Sequence, residues 1–88
     1  MEKLGGKIYV KVIAEFSESG HIRPLELIWD DEHTFEITRL HDVKRAPSKA
    51  GGLGYRYSVT INGEKKYLWL EDMDSKTVTM RWFVEAMK

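Results

Sequence analysis

"YRYSVTINGEKKYLWLE", residues 55–71, decides the fold. Tyr55, Tyr57, Val59 and Ile61 alternate with Arg56, Ser58 and Thr60, the two-residue period of a strand with one buried face. Asn62-Gly63 then supplies the pair that a type I′ turn demands, because both central residues need positive φ. A two-residue loop sets the register: Ile61 faces Glu64, Tyr57 faces Leu68 and Arg56 faces Trp69.

Working outward, "KIYVKVIAEF" (7–16) puts Ile8, Val10, Val12, Ala14 and Phe16 on one face and Lys7, Lys11 and Glu15 on the other. "LELIW" (25–29) aligns Leu25, Leu27 and Trp29 before the polar turn "DDEH", and "TFEITRLHDV" (34–43) starts in phase at Phe35 and Ile37. Leu40 breaks that phase, as at a bulge where a small sheet curls toward closure. "TVTMRWFVEA" (77–86) fits a strand with Val78, Met80, Trp82 and Val84 inward; helical spacing through Met80, Phe83, Val84 and Met87 is the competing pattern. Its β-branched and aromatic density favours the strand.

Six short antiparallel strands with no long helical stretch predict an all-β fold: one small sheet curled into a compact SH3-like or OB-like barrel spanning residues 1–88 as a single domain. Its expected core is Ile8, Val10, Val12, Phe16, Leu27, Trp29, Phe35, Ile37, Tyr57, Val59, Leu68, Leu70, Val78, Met80, Trp82 and Val84.

The composition, 42% apolar and 32% charged over 88 residues, is that of one folded domain. With no cysteine there is neither a disulfide framework nor a thiolate metal site, which suits a cytoplasmic protein. No stretch approaches the roughly 20 apolar residues of a membrane span, and "MEKLGGKIYVKV" lacks the apolar run of a signal peptide. Net charge is zero but unevenly spread. From Glu15 to Glu36 seven acids face Arg23 alone, a balance of −6; from Arg39 to Tyr57 five bases face Asp42, a balance of +4. The chain is bipolar if these segments lie at opposite ends of the fold, and self-neutralising if they adjoin.

The segments "RPLELIWDD" (23–31), "HDVKRAPSKAGGLGYRYSVTINGEKKYLWLED" (41–72) and "RWFVE" (81–85) resemble a group of short uncharacterised proteins of Gram-positive bacteria, over about Ile8 to Glu85. That resemblance implies no activity, cofactor or partner.

Functional weight therefore falls on individual residues. The loop with Gly51, Gly52 and Gly54 leads into a strand rather than a helix N-terminus, and no P-loop lysine or dinucleotide spacing accompanies it, so the nucleotide reading is disfavoured. As a plain connection its glycines give freedom and Pro47 stiffens its entry. As a site, Lys44, Arg45, Lys49 and Arg56 form a basic rim beside Tyr67 and Trp69, the mixture with which small barrels hold single-stranded nucleic acid or another anion. Zero net charge weighs against nucleic acid. The other class is a non-catalytic protein-interaction or self-association module, using an open sheet edge and Trp69 as an exposed anchor, with Arg56 stacked on Trp69 at the centre of the surface. Catalysis is the weakest class. His21, His33 and His41 sit in or beside turns without ligand spacing, the serines carry no activating motif, and "DDEH" and "EDMDS" lack the pattern of a calcium loop, so no catalytic, cofactor or metal residue is assigned.

Overall fold

The structure is a computed structural model and describes residues 6–48, 53–71 and 80–85. Six strands follow one another: β1 (Lys7–Phe16), β2 (Ile22–Asp30), β3 (His33–Pro47), β4 (Leu53–Ile61), β5 (Glu64–Glu71) and β6 (Trp82–Glu85). Each is antiparallel to its neighbour in chain order, and β6 pairs back onto β1, closing a barrel of the all-β, small single-sheet kind that the periodicity predicts. Of the segment with two competing patterns, Trp82–Glu85 is strand; Val78 lies outside the described residues.

The β4–β5 hairpin has the predicted register, with Ile61 opposite Glu64, Tyr57 opposite Leu68 and Arg56 opposite Trp69. Asn62 (φ 55°) and Gly63 (φ 77°) occupy the left-handed region that the turn requires. β3 is 15 residues long, too long to stay on one neighbour in a closed sheet, and its register shifts between Ile37 and Arg39 and between Leu40 and Asp42. These bulges are the parity break at Leu40. They hand the strand from β2, which it pairs up to Glu36, to β4, which it pairs from Ile37 onward.

The interior holds Leu27, Ile37, Tyr57, Val59, Ile61, Leu68, Leu70 and Trp82, with Val10, Val12, Ala14, Ile22, Phe35, Leu40 and Val84 packed against them. Burial of side chains of this size contributes roughly 1.5–3 kcal/mol each. Four expected core residues are exposed instead. Ile8 and Phe16 (67% exposed) stand near the two ends of the ten-residue β1, where among the described residues the strand is paired on one side alone, with β6 and with β2 respectively, and Met80 precedes the four-residue β6. Trp29 (48% exposed) is the extra residue where the β2–β3 register shifts between Ile28 and Asp30, so the bulge turns its ring outward.

Two turns, at Asp31-Glu32 and Asn62-Gly63, lie at one end of the barrel, and the connection from Ser17 to His21 lies at the other. Acids Asp30, Asp31 and Glu32 thus cluster at the first end, while Lys44, Arg45 and Arg56 belong to the opposite half, which Glu15 and Glu18 share. Lys65 and Lys66 also share the acidic end, so the two signs are only partly separated among the described residues.

Candidate functional site

Because Tyr57, Val59 and Ile61 point inward, Arg56, Ser58 and Thr60 point out, and on β5 Tyr67 and Trp69 do the same. Strand pairing then lines up Lys44, Arg56, Trp69, Phe83 and Tyr9 in one row across β3, β4, β5, β6 and β1 on the outside of the wall. Three sequence-predicted residues, Lys44, Arg56 and Trp69, share this row. Tyr67 is one step along β5, Arg45 is on the hairpin beside Lys44, and Lys49, with Gly51 and Gly52, lies outside the described residues.

Trp69 is not an exposed anchor. It is 3% exposed, and Phe83 is 1% exposed, although both face away from the barrel interior. Their rings stack at 5.9 Å and 8°, Tyr9 meets Phe83 edge-on at 6.0 Å, and the Lys7 ammonium lies 4.9 Å from the centre of the Phe83 ring. Nor does Arg56 stack on Trp69. Its guanidinium reaches the diagonal neighbour on β5, 4.6 Å from the Tyr67 ring centre, which is the geometry open to a long side chain once the direct neighbour is covered. The wall thus carries a second apolar layer outside the first. Its signal lay in "YLWL" and "WFV", where apolar residues occupy successive positions rather than alternate ones, the mark of a strand buried on both faces. Phe83 falls outside the expected core because a two-residue period marks one face of a strand only.

Burial also changes phase along the β3–β4 hairpin. Val43 and Tyr55 hold the interior phase but are exposed, while Ser48, Gly54 and Ser58, from the other phase, are buried. Ser48 Oγ donates to Glu85 Oε2 at 2.8 Å, tying the end of β3 to β6. A Cβ on Gly54 would stand 2.9 Å from the Leu70 carbonyl oxygen, so only glycine permits this approach of β4 to β5. The exposed Tyr55 carries Arg45, whose guanidinium lies 5.4 Å from the ring centre and donates to the phenol oxygen at 3.1 Å. Within the row's surroundings Arg56 Nε, Ser58 Oγ and Trp69 Nε1 are buried without a hydrogen-bond partner among the described residues, two N–H donors and a hydroxyl that can donate or accept.

Glu71 anchors the same wall. Its carboxylate accepts from Lys7 Nζ (2.7 Å), Tyr9 Oη (2.9 Å) and Arg81 Nε (3.1 Å), joining β1, β5 and the approach to β6. Partial burial pushes this carboxyl up, but hydrogen bonds from Lys7 and Tyr9 and the charges of Lys7 and Arg81 outweigh it and hold Glu71 below its ordinary value of 4.5. Inside the barrel, Tyr57 Oη donates to the Ile22 carbonyl at 3.0 Å, and burial, then Tyr55, raises its phenol. The histidines are dispersed: His21 bonds Ser19, His33 bonds Asp30 and His41 bonds Thr60. Among the described residues no three His, Cys, Asp or Glu side chains gather as a metal site would.

Both barrel mouths are hollow. One cavity of about 590 Å³ is bounded by Val12, Ala14, Phe16, Ile22, Met80 and Arg81; the other, about 670 Å³, lies at the Asn62-Gly63 end over Leu27, Ile61, Leu68 and Val84. Among the described residues no helix is long and apolar enough to cross a membrane.

No protein-family description, curated protein or solved structure matches this chain.

Proposed function

We propose that the protein is a non-catalytic cytoplasmic interaction module that takes an extended, acidic segment of a partner protein, or of a second copy, along β3. The observation that carries this reading is one-sided pairing. Residues 39–44 of β3 pair with β4 and, among the described residues, with no strand on their other side. A closed barrel removes most edges, and this stretch is one of those, with 64–68 of β5 another, where among the described residues only one side is paired and backbone groups remain for strand addition. Arg39, His41, Asp42, Val43 and Lys44 are all exposed, and the two bulges with the flanking cations restrict the edge to a partner of matching shape and charge. Acid side chains lying on the outer face would meet Lys44 and, beyond it, Arg56. Selection from a library of extended peptides, followed by amide exchange on the complex, tests this. Acidic peptides that slow exchange at residues 39–44 support it; a monomeric protein whose 39–44 amides no selected peptide protects refutes it.

A second reading, single-stranded nucleic acid or another anion at the basic hairpin, is favoured by the two Arg-Tyr pairs, Arg45 with the exposed Tyr55 and the half-buried Arg56 with the exposed Tyr67. Rings already carrying a cation suit a base stacked beside a phosphate. Binding of a mixed oligonucleotide that weakens steeply with salt distinguishes this reading from strand addition.

A further inference from the structure

We infer that the occupant of the β3 edge is the same stretch of a second copy, paired antiparallel about a two-fold axis at Val43, so that two barrels join through one continuous sheet. This rests on strand addition along β3 and names the strand that is added. His41 to Arg45 are five successive exposed residues, so both faces of the strand stand clear here, and among the described residues only β4 pairs it. Asp42 and Lys44 share the outer face, opposite Ser58 and Arg56 of β4. Val43 between them has the interior phase, opposite Tyr57, yet is 43% exposed. An apolar side chain left in water beside unpaired backbone groups is a surface that another strand covers.

Charge selects the occupant. In an antiparallel pair centred on Val43, Val43 meets Val43, Asp42 meets Lys44 of the second copy, and Lys44 meets its Asp42. Asp42-Val43-Lys44 is thus complementary to itself: two opposite-charge pairs flank a β-branched apolar pair, each a favourable cross-strand combination. Within one copy the two charges are loosely joined, 4.0 Å apart at the exposed surface, so little is lost when they exchange partners. The singly paired stretch 64–68 of β5 offers no such match, because a two-fold on or between Lys65 and Lys66 sets lysine against lysine. The bulge between Leu40 and Asp42, and Pro47 without an N–H, bound the regular stretch and limit slippage of the register. A contact of so few residues is smaller than a permanent interface, so the dimer is weak and reversible.

The test is sedimentation of the intact protein up to the millimolar range at about 0.15 M salt, where a Debye length of about 8 Å screens the other cations of the two hairpins from one another. Asp42→Lys and Lys44→Asp each set like charges opposite one another and are each expected to weaken self-association about tenfold, while the double reversal restores opposite pairs and returns it to near the parent's value. Lys44→Asp lowers the positive charge of the hairpin, so a loss there cannot come from general repulsion. In the parent, amide exchange at residues 42–44 should slow as concentration rises. A parent that stays monomeric into the millimolar range, association that either single reversal leaves unchanged, or a double variant as weak as the singles overturns the inference. A monomeric parent whose 39–44 amides an acidic peptide still protects overturns self-pairing alone and leaves strand addition standing; a dimer in which neither association nor any peptide protects these amides overturns both.

Discussion

Replacing Phe83 by alanine isolates the outer apolar layer. Phe83 is 1% exposed and touches neither cavity, yet it faces away from the barrel interior between Trp69 and Tyr9. Truncating a buried Phe costs about 3–5 kcal/mol, and loss of the stacked and edge-on ring pairs places this site toward the upper part of that range. An exposed outer face would instead change stability by about 0.5 kcal/mol or less. At this chain length 1 kcal/mol moves the midpoint by roughly 4–8 °C, so even a 3 kcal/mol loss lowers Tm by about 12–24 °C. Thermal and urea unfolding measure it, with Leu68→Ala of the inner core as the reference and Phe83→Leu as a milder step. A shift of only a few degrees for Phe83→Ala, with Leu68→Ala strongly destabilised, would refute the double-layered wall.

Glu71→Gln removes the carboxylate that Lys7, Tyr9 and Arg81 share and should cost about 1–2 kcal/mol at neutral pH, between the surface and the buried cases. Since folding lowers this carboxyl, its contribution is complete above the ordinary value of 4.5 and is lost as pH falls through the lower folded value; acid titration of stability should therefore show a shallower loss in Glu71→Gln than in the parent. Gly54→Ala forces a methyl against the Leu70 carbonyl and should lose about 1–3 kcal/mol in chemical denaturation. Tyr57→Phe removes the phenol donor to the Ile22 carbonyl, with an expected cost of about 1–2 kcal/mol and faster amide exchange at Ile22 and Arg23, where among the described residues β2 pairs with β1 alone.

The hairpin from Tyr55 to Glu71 was legible to the residue, because a two-residue turn with two positive φ angles leaves one register. Leu40 announced its bulge through parity. Trp29 and Leu25 could not be read the same way: each is an added residue at a register shift, and apolar in-phase spacing looks the same whether a strand continues or slips. For the site, register put Lys44, Arg56 and Trp69 together as expected, but exposure belongs to tertiary packing. Trp69 is covered on its outer face, so Arg56 moved to Tyr67, and among the described residues the aromatic surface that solvent reaches is made by Tyr9, Phe16, Trp29, Tyr55 and Tyr67 instead.

Pairing of β1 with β6 joins Lys7 to Glu85, residues separated by almost the whole chain, through a last strand of only four residues. A contact of that span repays its loop-closure entropy only after the intervening hairpins have formed, so the seam is the last part of the barrel to assemble. If the folding barrier is crossed with β6 undocked, substitutions at Phe83 or Val84 are expected to speed unfolding in stopped-flow measurements while leaving the rate of folding nearly unchanged; slowed folding would show that the seam is already closed at the barrier.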